Sequence, residues 1–236
     1  MKKLLSFLFF VLLIFGMAAS VGALTFVSDR GALGGTDFID WGDLGVDLTR
    51  VDNPFTILSN GGVSFDVSKT GPTQFTIVYQ PTSADMNFAD GDELLSTYDW
   101  EGPRNNSENP IVLSTSVGMF AGGVQISPIW YGNFTAKIEI FDSPGNSLGY
   151  FERNGILTDD HDNSAIFIGI NSDEAFYKIA FSIIEDSGDT IGDIFINQFD
   201  FIPNNNVPVP EPATMLLLGS GLIGLAGYGR KKFFKK

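Results

Sequence analysis

The chain has 236 residues, with 14 basic and 28 acidic side chains, one histidine and no cysteine. This composition excludes thiol catalysis, cysteine-based zinc sites, iron–sulfur clusters and metal sites built from several histidines within the sequence. The formal charge of −14 also argues against nucleic acid as a partner, because an acidic surface repels phosphate.

The first residues have the order of a secretory signal peptide. Two lysines at the start precede an apolar run from Leu4 to Met17, and small residues follow as far as Ala23. A positive start, a hydrophobic middle and a small-residue end are the three parts of such a signal. We therefore expect residues 1–23 to direct export, with cleavage after Ala23 and with Ala19 and Ser20 as rival sites. An uncleaved membrane anchor is the alternative.

The body that follows, residues 24–202, has the length of one domain or at most two small ones. It keeps seven of the basic residues and 27 of the acidic ones, so its formal charge is −20. Such a body repels phosphate backbones and anionic lipid surfaces. Divalent cations and neutral or cationic polymers are compatible with this charge.

Several short stretches of the body have the patterns of β-strands separated by turns. Residues 63–67, 74–79 and 134–141 alternate apolar and polar, 165–170 is continuously apolar, and 177–184 and 194–202 complete the set. Turn formers lie between them, as in Asn60-Gly61-Gly62 and in 142–146. We predict an all-β fold: an antiparallel β-sandwich, jelly-roll or lectin-like, flanked by an N-terminal signal helix and a C-terminal transmembrane helix. Residues 84–98 are the best helix candidate in the body.

Acidic residues are bunched in three places where their oxygens could bind calcium. The tightest group is Asp159, Asp160 and Asp162 in one short loop, and the others lie in 90–93 and 185–193. None follows the residue order of an EF-hand, and aspartate also favours turns through local hydrogen bonds. The sequence requires no cofactor, and calcium is the one ion that these loops suggest.

Trp100, Trp130 and Tyr131 are candidates for stacking on sugars, because a flat aromatic ring covers the apolar face of a pyranose. Trp41 has the same chemistry, although a tryptophan in a small sandwich also suits the core. No pair of carboxylates is singled out for glycoside hydrolysis, and His161 suits a solvated loop better than a catalytic site. We therefore expect no catalytic residue.

The end of the sequence has three parts in series after a polar, proline-spaced linker at 203–209. Val209, Pro210, Glu211 and Pro212 form a stiff, exposed segment, because proline fixes φ and lacks an N–H. The uncharged run from Ala213 to Tyr228 is about 24 Å long as a helix and can enter a bilayer. A basic stop that stays on the cytoplasmic side follows; it consists of Arg230, Lys231, Lys232, Lys235 and Lys236.

This order closely resembles the PEP-CTERM sorting signal of Gram-negative bacteria that make extracellular polysaccharide. The resemblance implies that an exosortase, an integral membrane cysteine protease, acts at or near the Pro-Glu-Pro motif and that residues 210–236 are then lost. The second half of the body also resembles the recurrent jelly-roll-like domain that often precedes such tails. The stretches that carry this likeness are 132–138, 141–142, 145–149, 167–170, 179–181 and 192–199.

These features predict a noncatalytic exported protein that crosses the inner membrane, is held there transiently by its C-terminal helix, and then reaches the cell surface or the extracellular matrix. An exosortase is the expected partner, with exopolysaccharide in a biofilm as a further one. The alternative is a carbohydrate-binding, lectin-like or carbohydrate-active protein with a calcium-stabilised sandwich. A permanently anchored inner-membrane protein is a third hypothesis.

Overall fold

A computed structural model describes residues 23–82, 86–98, 109–158, 160, 162–186 and 192–204. The chain divides into two compact units, the first ending at Asn204 and the second formed by Asn205–Lys236. The second unit lies outside the described residues. Within the described ranges, no helix has the length and apolar character needed to cross a membrane. The predicted signal helix and transmembrane helix lie outside these ranges.

The described residues form a mostly antiparallel β fold, which confirms the all-β prediction. Helical structure in these residues is limited to a four-residue α-helix, α1 (Arg30–Leu33), and one 3-10 turn (Trp41–Leu44). The strands are β1 Leu24–Val27, β2 Asp37–Ile39, β3 Arg50–Val51, β4 Phe55–Leu58, β5 Ser64–Lys69, β6 Phe75–Tyr79, β7 Glu93–Ser96, β8 Ile111–Pro128, β9 Gly132–Phe141, β10 Ser147–Leu157, β11 Ile166–Asp186, β12 Ile194–Ile196 and β13 Phe199–Pro203.

Two long strands, β8 and β11, run through both layers of the fold. In the first layer the start of β8 pairs with the second half of β11, where Ile111 lies opposite Phe181. In the second layer the end of β8 pairs with the start of β11, where Ile126 lies opposite Ile166. The register shifts between residues 171 and 178 of β11, and such irregularities let a strand bend from one layer into the other.

The remaining strands add to this shared pair in each layer. The first layer has the order β4-β5-β8-β11-β9-β10. In the second layer β1 pairs with β11. Strand β12 pairs with the end of β8 and continues the sheet through β7, β6 and β3. Strand β13 pairs with the preceding part of β8 and, on its other side, with β2. The described part of the body is thus sandwich-like. Its finer assignment as a jelly roll or a lectin-like fold stays a prediction.

Phenylalanine rings from the two layers meet in the core. The ring centroid of Phe65 on β5 lies 5.7 Å from that of Phe199 and 4.9 Å from that of Phe201, both on β13. Phe181 on β11 reaches Phe199 at 6.0 Å. All four side chains are fully buried. Edge-to-face contacts of this kind add to the hydrophobic stabilisation and fix how the layers face each other.

Three of the predicted elements have different bounds in the structure. The stretches 165–170 and 177–184 belong to one strand, β11, whose pairing continues through the polar residues between them because Leu24 lies opposite Ser172. The stretch 194–202 forms two strands, since the ladder breaks at Asn197 and Gln198. The helix candidate at 84–98 is wrong: its described part is a loop followed by β7.

The two ends of the described body lie at the bend of the long strands. The carbonyl of Ala23 accepts a hydrogen bond of 3.2 Å from the backbone N–H of Asp173 on β11. The backbone N–H of Asn204 donates to the carbonyl of Gly118 on β8. The turn at 129–131, which joins β8 to β9, lies at the opposite end. The ten residues of β9 place these two ends roughly 30 Å apart.

Candidate functional site

Two of the predicted stacking residues, Trp130 and Tyr131, lie on the surface at the turn between β8 and β9. Their side chains are 52% and 53% exposed. The backbone N–H of Ile129 donates to the carbonyl of Asp193 at 3.1 Å and holds this turn against the chain that leads into β12. The structure thus presents two adjacent aromatic rings to solvent, as a stacking site requires. Trp100 lies outside the described residues.

Trp41 is a core residue and does not belong to this surface. Its side chain is fully buried, and its indole N–H donates to the carbonyl of Asn197 at 2.8 Å. A ring in this position has no face open to a sugar, so the core role that the sequence also allowed is the observed one. Asn197 also bonds through its side chain to Arg30 and Gln125, which ties the second layer together.

The described residues of the predicted calcium loop make local hydrogen bonds. The hydroxyl of Thr158 donates to Asp160 at 3.0 Å, and the backbone N–H of Ser164 donates to Asp162 at 3.0 Å. Hydrogen bonding from Ser164, first from its hydroxyl and then from its backbone N–H, lowers the pKa of the Asp162 carboxyl. Both aspartates are exposed, and Asp159 lies outside the described residues. Across the described ranges, no three acidic or histidine side chains are grouped as metal ligands would be.

A second acidic cluster forms around Tyr79, where residues of β7 meet the 3-10 turn. Burial raises the pKa of the Glu93 carboxyl; a hydrogen bond from Tyr79 opposes the shift, and the nearby carboxyls of Asp40 and Asp43 add to it. The pKa of Tyr79 is raised as well, first by its hydrogen bond with Glu93. The Glu93 carboxylate also occupies the space where any side chain at Gly42 would lie. This cluster links the turn to the sheet.

The outer surface of the first layer contains a trough, a depression that the sequence did not indicate. It runs along β11 because Ala180 and Ser182 are small, whereas the flanking strands carry larger side chains such as Val112 on β8 and Phe141 on β9. The volume of the trough is about 470 Å³, within the range of ligand-binding clefts. Its lining residues come from three strands, so no local sequence pattern could have grouped them.

The charged groups of the trough are two lysines and one glutamate. The ammonium of Lys137 lies 2.8 Å from one carboxylate oxygen of Glu139, and the hydroxyl of Ser147 donates to the other at 2.7 Å. Burial alone would raise the pKa of Glu139, but these two hydrogen bonds and the charges of Lys137 and Lys178 lower it. Glu139 is therefore ionised at neutral pH, and both of its oxygens are occupied.

Each lysine of the trough also lies over an aromatic ring. The ammonium of Lys178 is 4.0 Å from the ring centroid of Phe141, and that of Lys137 is 4.5 Å from the ring centroid of Tyr150. Such contacts hold an ammonium group in place without neutralising its charge. In the part of the chain that the structure describes, Lys178 makes no hydrogen bond or ion pair. The trough therefore presents a fixed cation on a strongly acidic body.

Comparisons with known proteins address the end of the chain more directly than the body. No curated protein matches the sequence. Among solved structures, the fold is similar to a DUF4465 family protein from Bacteroides caccae, with 14% identity, coverage of 77% of this chain and 98% of that chain, and a TM-score of 0.37. The family model described as the PEP-CTERM protein-sorting motif matches residues 208–231.

The matched segment contains most of the residues on which the sequence prediction rests. It includes the whole Val209–Pro212 motif and the basic residues Arg230 and Lys231, while Lys232, Lys235 and Lys236 follow it. All of them lie outside the described residues. The motif implies export and a C-terminal membrane anchor before processing by an exosortase. Residues 208–231 of this chain match the PEP-CTERM protein-sorting motif, and this match supports an exported protein that an exosortase sorts.

Proposed function

We propose that this chain is a noncatalytic protein of the cell surface or extracellular matrix, delivered there through its PEP-CTERM tail and associated with exopolysaccharide. The observation that carries the proposal is the sorting motif at residues 208–231. A segment of this kind specifies where a protein is sent and how it is processed. The body is then the part that acts at the destination.

The placement of the body's ends supports a role in display. The described chain begins and ends at the bend of β8 and β11, while the exposed rings of Trp130 and Tyr131 lie at the opposite end. A body tethered through Asn204 therefore has its exposed aromatic end far from the point of attachment. This arrangement suits contact with material outside the cell.

The acidic residues support a noncatalytic role because several of them stabilise turns. Asp37 accepts hydrogen bonds from the hydroxyl of Ser59 at 2.6 Å and from the backbone N–H of Gly61 at 2.7 Å. Asp142 accepts two from Asn146, which closes the turn between β9 and β10. Carboxylates that accept such hydrogen bonds have a structural role.

The sorting step can be tested by expressing the full-length chain in a strain that has an exosortase and in the same strain without it. We expect cleavage near the motif only in the first strain, measured by mass spectrometry of the C-terminus and by cell fractionation. Replacing Pro210, Glu211 and Pro212 together by alanine should leave the protein uncut in the inner-membrane fraction. Asn206→Ala, in the linker before the matched segment, is the control. An intact C-terminus on protein outside the cell would contradict the proposal.

The second candidate function is a lectin-like protein, favoured by the exposure of Trp130 and Tyr131. Stacking of sugars on these rings would give affinity without turnover. A binding screen against neutral polysaccharides, with calcium and with a chelator, tests this candidate. Binding that Trp130→Ala abolishes would support a lectin, calcium dependence would support the loop at Asp160 and Asp162, and hydrolysis would contradict the noncatalytic proposal.

A further inference from the structure

We propose that the trough along β11 binds a sugar residue bearing a single carboxylate, such as a uronate, within an otherwise neutral polysaccharide. This inference rests on the proposed association with polysaccharide and assigns it a second site, separate from the aromatic turn at 129–131. The geometry points to Lys178 as the group that binds the carboxylate and to the apolar part of the trough as the surface on which the sugar ring lies.

The case for an anion begins with the unused donors of Lys178. Its ammonium lies 4.0 Å from the centroid of the Phe141 ring and, among the described residues, makes no hydrogen bond or ion pair. Two carboxylates are near it, those of Glu139 and Asp142, but the hydrogen bonds of both are made to other donors. A ligand carboxylate can therefore take hydrogen bonds from Lys178 without displacing an internal contact.

The local charge favours one anion in the trough. Among the side chains that line the trough, Lys137 and Glu139 offset each other as an ion pair and Lys178 adds one positive charge, which the nearby carboxylate of Asp142 partly offsets. Only seven basic residues belong to a body with 27 acidic ones, and two of these seven lie here. The negative body repels a polymer with a carboxylate on every residue. A ligand with isolated charges avoids this repulsion and still pairs with Lys178.

The backbone around the trough favours a sugar over a peptide. Ala180 on β11 lies opposite Val112 of β8 on one side and Glu139 of β9 on the other, so the strand is paired along both edges. An extended peptide binds a sheet by adding main-chain hydrogen bonds at a free edge, which the centre of this layer does not offer. Recognition here depends on side chains and on the shallow apolar floor, which suits a ring with hydroxyl groups.

The test uses the full-length protein in detergent and two matched probes: an aldouronic acid that carries one glucuronate on a xylotriose, and xylotriose itself. Isothermal titration calorimetry should show tighter binding of the aldouronic acid. Lys178→Gln should weaken that binding about 10- to 100-fold, since a hydrogen bond to a charged group is lost. Lys178→Arg should keep it within about threefold, because the positive charge stays.

Arg50→Gln is the matched control, because it removes the same charge from β3, in the other layer. It should leave the affinity unchanged, and thermal unfolding should show that the variants fold. Polygalacturonate should bind more weakly than the aldouronic acid at low salt. Three results would overturn the inference. The two matched probes could bind equally well, the Lys178→Gln protein could bind the aldouronic acid as tightly as the wild type does, or a peptide carboxylate could bind more tightly than the aldouronic acid. Exosortase cleavage and any binding of neutral polysaccharide would survive that result, so the two proposals fail separately.

Discussion

The ion pair between Arg30 and Asp200 joins the short helix α1 to strand β13, and its removal should be costly. Arg30 Nη1 lies 2.6 Å from an oxygen of Asp200, and Nη2 donates to the side chain of Asn197 at 2.7 Å. The guanidinium also lies 5.7 Å from the ring centroid of Phe167. Arg30→Ala therefore removes all these contacts at once and leaves the Asp200 carboxylate, whose side chain is only 14% exposed, with the Gln198 amide as its hydrogen-bond donor and without its ion-pair partner.

The size of the effect follows from this burial. Removing one partner of a fully buried ion pair costs about 3–5 kcal/mol, because the other charge stays in a poorly solvated place. The side chain of Arg30 is 33% exposed, so part of its interaction is screened by solvent. We expect Arg30→Ala to lower the free energy of unfolding by about 2–3 kcal/mol. Arg50→Ala, at an exposed position in β3, should change it by less than about 1 kcal/mol, because solvent screens the interactions of an exposed arginine.

A double-mutant cycle with Asp200→Asn, measured by urea unfolding, isolates the pair. The double variant should be more stable than Arg30→Ala alone, with a coupling energy of about 1 kcal/mol or more. A coupling below about 0.5 kcal/mol would refute the reasoning, since the carboxylate would then not be the source of the penalty.

The pH dependence gives an independent check. Burial raises the pKa of Asp200 in the folded protein, while the charge of Arg30 opposes this rise. Without Arg30 the folded pKa is higher still, so the folded variant keeps its proton at pH values where the unfolded chain has lost it. The stability of Arg30→Ala should therefore fall as pH rises through that pKa. Its deficit relative to the wild type should be smallest in acid and largest at neutral pH.

Three further predictions concern other parts of the body. Trp41→Phe should lower the free energy of unfolding by about 2–4 kcal/mol in a urea titration, because it empties core volume and leaves the Asn197 carbonyl unpaired; unchanged stability would contradict this account. Glu93→Gln should raise the melting temperature at pH 7 but not at pH 4: burial and the carboxyl of Asp40 raise the pKa of Glu93, so the wild type loses stability as pH rises through that pKa. Trp130→Ala should change the free energy of unfolding by less than about 0.5 kcal/mol, because the side chain is 52% exposed, and a larger loss would place the ring in the core.

The strand content was predictable from local patterns, but the lengths of the strands were not. Alternation located β5 and β9, because one face of each strand is buried and the other is more exposed. It also located β6, although the residues on both faces of that strand are buried. The polar residues 171–174 looked like a break, yet they lie inside β11, where β1 pairs with Asn171 and Ser172. The stretch from Ile194 to Ile202 looked continuous, but the ladder breaks at Asn197, whose side-chain oxygen accepts a hydrogen bond from the backbone N–H of Gln125. Long-range pairing decided both cases, and a single sequence does not contain that information.

The candidate sites also differ in whether the sequence alone could predict them. The sorting motif was predictable because its parts follow one another along the chain, and the match at residues 208–231 confirms it. Trp130 and Tyr131 were candidates from their chemistry alone, and their exposure is a finding of the structure. The trough was not, because Lys137 and Lys178 are far apart in sequence and become neighbours only when β9 pairs with β11. Sites built across a sheet depend on register, which composition and periodicity do not fix.

The placement of Asn204 and of the turn at 129–131 at opposite ends determines how this body would bear a mechanical load. Strand β13 runs toward the bend, and the part of β8 that pairs with it runs the other way. If Asn204 is held while material at Trp130 is pulled, the two strands are drawn past each other along their length. Their hydrogen bonds, which lie across the strands, are then strained together and not one after another. A body with this geometry resists traction that is applied between Asn204 and the turn at 129–131.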